Sequence, residues 1–287
     1  MPFHSVANAI TLHPDANPDD YLMDSADAPA VFALPNAEGE KDCSATLIDE
    51  RWAVTAAYCV VTLYVADYET VPYQVEIDGM ENVVEQVVVP DELIDGEIKV
   101  SRDAKGALTG LTFELVEADY EIALLGLASA VSHVTPVELY DADDEAGKTV
   151  TILGWETAEV EGSAVSNTAM DDPLRVADNR ITQTDGNYFS VVFDAPGSDE
   201  ALPLEGVGGS DDIGSPAFIE TAEGTRLVGV SVIGSVVGSL DEEQPIDFSG
   251  IRALMSNNTD YGSQHDYLRM SQMKNWIRDV IASNSAI

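Results

Sequence analysis

A chain of 287 residues, 45% of them hydrophobic, is long enough to bury a full apolar core as one large all-β domain or two small ones, and too apolar to be disordered despite its charge. Thirteen lysines and arginines stand against 52 aspartates and glutamates, and the resulting charge of −39 excludes nucleic acid and anionic membranes as partners, since both demand a basic face. The acid is scattered in short runs (Asp19-Asp20, Asp143-Asp144-Glu145, Asp171-Asp172, Asp211-Asp212, Asp241-Glu242-Glu243), which reads as the solvated surface of a protein from salty water.

Residues 1–27 are polar and broken by Pro14 and Pro18, an arm expected to lie on the surface. The opening Met1-Pro2-Phe3-His4 lacks the basic and apolar regions of a signal peptide, so the chain is either cytosolic or a mature form with an added Met. From Val31 onward come short β-branched runs separated by turn residues, at 44–48, 52–56, 60–66, 83–89, 122–127, 149–154, 188–194, 216–219 and 226–233. Their length and spacing predict an all-β barrel or sandwich. Over 267–281 the period changes: Leu268, Met270 or Ser271, Trp276, Ile277 and Val280-Ile281 recur at helical spacing, which predicts one terminal helix. No apolar run approaches the roughly eighteen residues of a membrane span. No segment has the alternating acidic spacing of a calcium loop, so calcium is possible but unsupported. With no paired histidines near an acidic cluster, no metal site and no cofactor are expected.

Four blocks and an ending carry a resemblance. Cys43-Ser-Ala-Thr-Leu-Ile-Asp-Glu-Arg-Trp-Ala-Val-Thr-Ala-Ala-Tyr58-Cys59 is followed by Asp119-Tyr-Glu121-Ile-Ala-Leu-Leu, by Gly154-Trp155, and by Asp211-Asp212-Ile213-Gly214-Ser215-Pro216. Then come Leu227-Val-Gly229-Val-Ser-Val-Ile-Gly234 and Tyr267-Leu-Arg269-Met-Ser with Trp276-Ile277. In order and separation these are similar to the trypsin/chymotrypsin family of serine proteases. The resemblance implies two six-stranded Greek-key β-barrels, 28–135 and 136–266, after the arm 1–27 and before a C-terminal α-helix over 267–284, with the site in the cleft between the barrels. The cysteines could be a reduced buried pair. The resemblance instead implies a Cys43–Cys59 disulfide, and hence a secreted or periplasmic protein whose signal peptide lies outside the chain.

Acyl transfer on this fold needs a hydroxyl nucleophile, an imidazole base and an orienting carboxylate. The resemblance sets Ile213 at the nucleophile position, a side chain with no lone pair, and Tyr58 at the base position, a phenol titrating near 10 and a poor proton acceptor at neutral pH. Glu121 keeps a carboxylate at the acid position. Ser210 and Ser215 flank Ile213 without taking its place. His4, His13, His133 and His265 each read as a surface histidine, not a relocated base. Asp211 stands where a glycine would donate to the oxyanion, which its carboxylate would repel. Val207 at the floor of the specificity pocket and Val232-Ile233-Gly234 along its wall make that pocket apolar. Asp212 reads as a structural cap on backbone amides in its turn, an ion pair being the other option.

Loss of a triad serine or histidine costs about 10⁶ in turnover. The resemblance therefore implies a pseudoprotease that serves as a protein-binding, structural or regulatory module. The partner would be another protein, and the alternative is a hydrolase with unrecognised or residual endopeptidase activity. The charge makes its own prediction. Self-repulsion among the acids is screened over about 8–10 Å at physiological ionic strength, so the melting temperature should rise between low and molar NaCl, as followed by a thermal melt.

Overall fold

The computed structural model describes residues 10–13, 15–35, 41–60, 72–91, 98–102, 108–113, 120–155, 174–209, 212–232 and 261–284. The run expected at 60–66 falls almost wholly outside these. Two short strands, β1 (Thr11–Leu12) and β2 (Leu22–Met23), precede the first barrel. That barrel is built from β3 (Val31–Pro35), β4 (Lys41–Asp49), β5 (Trp52–Ala56), β6 (Tyr73–Ile77) and β7 (Met80–Val88). A separate hairpin, β8 (Ile98–Arg102) with β9 (Leu108–Phe113), intervenes before the sixth strand, β10 (Ile122–Leu127). The strand order is β3-β4-β5-β10-β7-β6, a nearly closed barrel.

The central strands show why. Trp-Ala-Val-Thr-Ala in β5 and Ile-Ala-Leu-Leu-Gly-Leu in β10 are buried along their whole length, so neither has a polar face to turn outward. Gly126 pairs with Trp52, and a Cβ there would lie 3.1 Å from the indole, so a larger residue would crowd that buried ring. Between β6 and β7, Asp78 and Gly79 both take positive φ, 48° and 72°, the two-residue turn whose twist matches a hairpin.

The second barrel comprises β11 (Thr149–Gly154), β12 (Leu174–Asp185), β13 (Tyr188–Val192), β15 (Pro216–Thr221), β16 (Gly224–Ser231) and β17 (Gln264–Arg269), with the short β14 (Gly206–Val207) beside it. Its order β11-β15-β16-β17-β13-β12 is closed by pairing of β11 with β12, and β2 adds to the outer side of β12. The connection hands over between barrels within two residues. Val137 donates to Leu47 of the first barrel, and Glu138 accepts from Leu227 of the second. Helix α1 (Met270–Asn284) begins where β17 stops, three residues after the change of period, because Tyr267–Arg269 are still paired with β13 and β16. It buries Met270, Met273 and Ile277, and Gln86 on β7 donates to its Asn284 at 3.2 Å.

The arm is more than a surface strap. Ile10, Leu12 and Tyr21 are buried with Val207, Phe189, Val191 and Tyr267 in the core of the second barrel, while β1 pairs with β14. The expectation of a surface arm rested on its prolines and acids. It overlooked three apolar side chains that join the core of the second barrel.

One cation fastens the ends of this barrel together. Arg269, 6% exposed, donates through Nε and Nη2 to Glu145 at 3.2 and 2.7 Å, through Nη1 to the Gly186 carbonyl at 2.8 Å, and also to Asp143. Glu145 is fully buried and accepts the Ser271 hydroxyl at 2.5 Å as well. The inter-barrel connection, the β12–β13 turn and the start of α1 thus meet at one guanidinium. Arg269→Met would strand the Glu145 charge in the interior. It should lower unfolding free energy by about 3–5 kcal/mol in urea, whereas Arg269→Met with Glu145→Met should recover part of the loss.

Candidate functional site

The site forms where three strand ends meet. The β5–β10 register sets Ile122 opposite Ala56, and the Ala57 amide donates to the Glu121 carbonyl at 3.3 Å. Glu121 therefore arrives beside the point where β5 turns into the short helical stretch 57–60, which carries Tyr58 and Cys59. Cys59 is disulfide-bonded to Cys43 on β4, their Cα atoms 6.0 Å apart. Cys43 in turn forms a parallel bridge to Ile213, whose carbonyl accepts the Ser44 amide at 2.9 Å and lies 3.6 Å from Cys59 Sγ. The backbone thus brings positions 58, 121 and 213 together at the junction of the barrels.

Burial separates their roles. Ile213 and Glu121 are each 7% exposed and Tyr58 is half-buried. Ile213 belongs to the apolar cluster of Cys43, Cys59, Ile122 and Val232, against which the Tyr58 ring packs. Position 213 presents only carbon. Ser215 is fully buried, and its hydroxyl donates to Ser44 Oγ at 3.2 Å, pointing into the first barrel and away from solvent. Thr55 Oγ1 donates to the Ser44 carbonyl at 2.7 Å. These neighbouring hydroxyls serve as stitches.

The turn through 212–215 is held from both sides. Asp212, 1% exposed, accepts the Gly209 amide at 2.9 Å through Oδ2, and its carbonyl accepts Ser215 N at 3.1 Å. A Cβ on Gly154 would come within 2.2 Å of Asp212 Oδ1, so β11 must end in glycine for that carboxylate to fit. Gly214 takes φ +79°, and its amide donates to the Ser231 carbonyl at 2.9 Å. Behind the turn, Gly208 passes under the Tyr267 hydroxyl, a phenol that burial first, and the Asp212 charge second, hold well above the usual range.

The residues expected to line a specificity pocket are divided. Val207 is fully buried, paired with Thr11 of the arm in the second-barrel core, and Val232 is buried with Ile213 in the other cluster. Ser210, Asp211, Ile233 and Gly234 lie outside the described residues, as does His4. The remaining histidines have separate tasks: His13 Nε2 lies 2.8 Å from the Asp194 carbonyl oxygen and His133 Nε2 lies 3.2 Å from that of Ile77. His265, read as a surface residue, is 4% exposed because it sits within β17 opposite Val191, with Ser263 Oγ 3.1 Å from its Nε2. Among the described residues no group of three His, Cys, Asp or Glu side chains could hold a metal ion, and no helix is long and apolar enough to cross a membrane.

Sequence reasoning passed over Glu205, a carboxylate 1% exposed just ahead of Val207. The only local hint is that it is the one acid in the run Ala201–Gly209, which does not by itself predict burial.

A family model described as Trypsin matches residues 19–239, a span that includes Tyr58, Glu121 and Ile213. No curated protein matches the chain.

The packing at Gly214 makes a prediction. An alanine Cβ there would fall 2.3 Å from the Ser44 carbonyl and 2.4 Å from Thr55 Oγ1, on top of a left-handed φ. Gly214→Ala should cost at least about 3 kcal/mol by denaturant unfolding. Gly79→Ala, also at positive φ but with open space around it, should cost only about 1 kcal/mol.

Proposed function

Because the chain belongs to the trypsin family, we propose that it is a non-catalytic member, a pseudoprotease that acts as a protein-binding, structural or regulatory module. The observation that carries this reading is Ile213, an aliphatic side chain at the tip of the turn where the family motif sets its nucleophile, buried against the Cys43–Cys59 disulfide. Tyr58 at the base position supports it, since a phenol does not accept a proton near neutral pH. The neighbouring Ser215 supports it too, because a hydroxyl with no solvent exposure, committed to Ser44, has no path to a carbonyl carbon.

Tyr58, Glu121 and Ile213 form a contact cluster in this reading, with the Tyr58 ring against Ile213 and its hydroxyl toward Glu121, in place of a proton relay. By the family motif Asp211 is the residue at the oxyanion-donor position, where a carboxylate would repel a developing oxyanion. Val207, packed under the arm in the second-barrel core, is not available to a substrate. The disulfide supports export to an oxidising compartment, and the charge of −39 supports a saline one. The partner is another protein, recognised through loops around the rigid junction of the barrels.

The test is direct. The protein should remain unlabelled by serine-directed fluorophosphonates and should not hydrolyse fluorogenic peptides or esters. The combination Tyr58→His, Ile213→Ser and Asp211→Gly should restore labelling if only the reacting groups have been lost. Hydrolysis by the unmodified protein, insensitive to changes at Tyr58, Glu121 and Ile213, would place the working site elsewhere and overturn the proposal.

A further inference from the structure

Among the described residues Glu205 is one of four buried carboxylates, with Glu121, Glu145 and Asp212, and both of its oxygens are held by donors. Its Oε1 accepts Asn179 Nδ2 at 3.0 Å and the Asp194 amide at 3.2 Å, and its Oε2 accepts the Leu202 amide at 3.0 Å. The carboxylate therefore ties the two ends of the 194–205 loop to each other and to β12. Asn179 extends the tie, donating also to the carbonyls of Val192 and Gly206.

The N-terminal arm closes over this node. The Tyr21 hydroxyl donates to the Glu205 carbonyl at 3.1 Å, β1 pairs with β14 immediately after Glu205, and His13 meets the Asp194 carbonyl at the other end of the loop. Tyr21, Ile10 and Leu12 are each almost wholly buried there. We propose that Glu205 and the contacts around it form a pH-sensitive latch that clasps the N-terminal arm to the second barrel.

The charges facing the latch come from every side. Asp178 on β12 bridges to Glu205 through the backbone, and Asp194 lies at the loop's start with Glu200 beyond it. Arg180 on β12 and His13 on the arm act on Asp194 in the opposite sense. Asp20 and Tyr21 approach from the arm. Burial pushes the Glu205 carboxyl up to about 7 against the pull of the Leu202 and Asp194 amides, and the charges of Asp194 and Asp178 add to the rise.

The sign follows from linkage. With the arm released, Glu205 loses the Tyr21 hydroxyl on its carbonyl and the strand paired just beyond it, water reaches the node, and the carboxyl returns toward its ordinary range. The docked state holds the proton more tightly, so docking is strongest below that range. It weakens as pH climbs toward about 7 and levels off above it. The direction is opposite to that of an ordinary carboxylate stabilised by a salt bridge, which loses its contribution on acidification.

Amide hydrogen exchange tests the latch, with rates corrected for their intrinsic pH dependence and molar NaCl present to screen the general charge. Protection of residues 10–23 should fall by roughly a hundredfold between pH 5 and pH 8, the largest change that such a shift permits being of that order. β5 in the first barrel should keep its protection. Glu205→Gln should flatten the profile. Asp178→Asn, which removes one flanking charge and leaves the carboxylate and its donors, should move the levelling-off to lower pH, and it decides the matter if Glu205→Gln does not fold. Arm protection that ignores pH, a loss shared equally by β5, or an unshifted profile in Asp178→Asn would overturn the proposal.

Discussion

The hydrogen bond from the Ser44 amide to the Ile213 carbonyl, with Gly214 pressed beneath it, is the contact on which the junction of the two barrels depends. It uses only backbone atoms at position 213. The turn needs glycine at 214 and is held by the carboxylate at 212, with the Ser215 hydroxyl adding a bond to Ser44, while nothing in its hydrogen bonding needs any particular side chain at 213. A position whose frame is held by its neighbours can change its chemistry without loss of the fold. This is why an isoleucine can sit at the tip of the turn and add to an apolar cluster.

Much of this architecture was legible because β-branched and apolar runs mark strands buried on both faces. β5 and β10 are the clearest, and β11, β15 and β16 follow the same logic. β12 was not legible: Leu-Arg-Val-Ala-Asp-Asn-Arg-Ile-Thr-Gln-Thr-Asp buries only Leu174, Ala177, Asn179 and Ile181, and its polar residues are held by neighbours far along the chain. The site divides in the same way. The frames around Tyr58, Glu121 and Ile213 could be read because short-range motifs specify them. The burial of Val207 could not, since it depends on an arm nearly two hundred residues earlier. Glu205 escaped for a related reason. Its donors are Asn179, Asp194 and Leu202, and no local pattern predicts that three groups so spaced will converge on one acid.

With thirteen cations to 52 acids, the chain places its basic side chains with economy. Arg269 joins three segments, Arg175 donates to the Pro18 carbonyl of the arm, and Arg226 on β16 pairs with Glu138 at 2.8 Å where the connection crosses to the second barrel. Each of these contacts spans segments distant in sequence. The acids outside them need no partner, because water and counter-ions solvate an exposed carboxylate well, and an added surface ion pair contributes little. These three arginines therefore act as fasteners between elements, and the acids set the surface potential.

The placement of the two ends also bears on the order in which the molecule can assemble. Ile10, Leu12 and Tyr21 leave the ribosome long before β12 and β14, the strands that shelter them, and Gln86 of the first barrel waits for Asn284 of the last helix. The first barrel's strands are made long before the helix that packs on them, and the arm is made long before the barrel that shelters it. Such interlocked closure favours folding after synthesis over domain-by-domain folding during it.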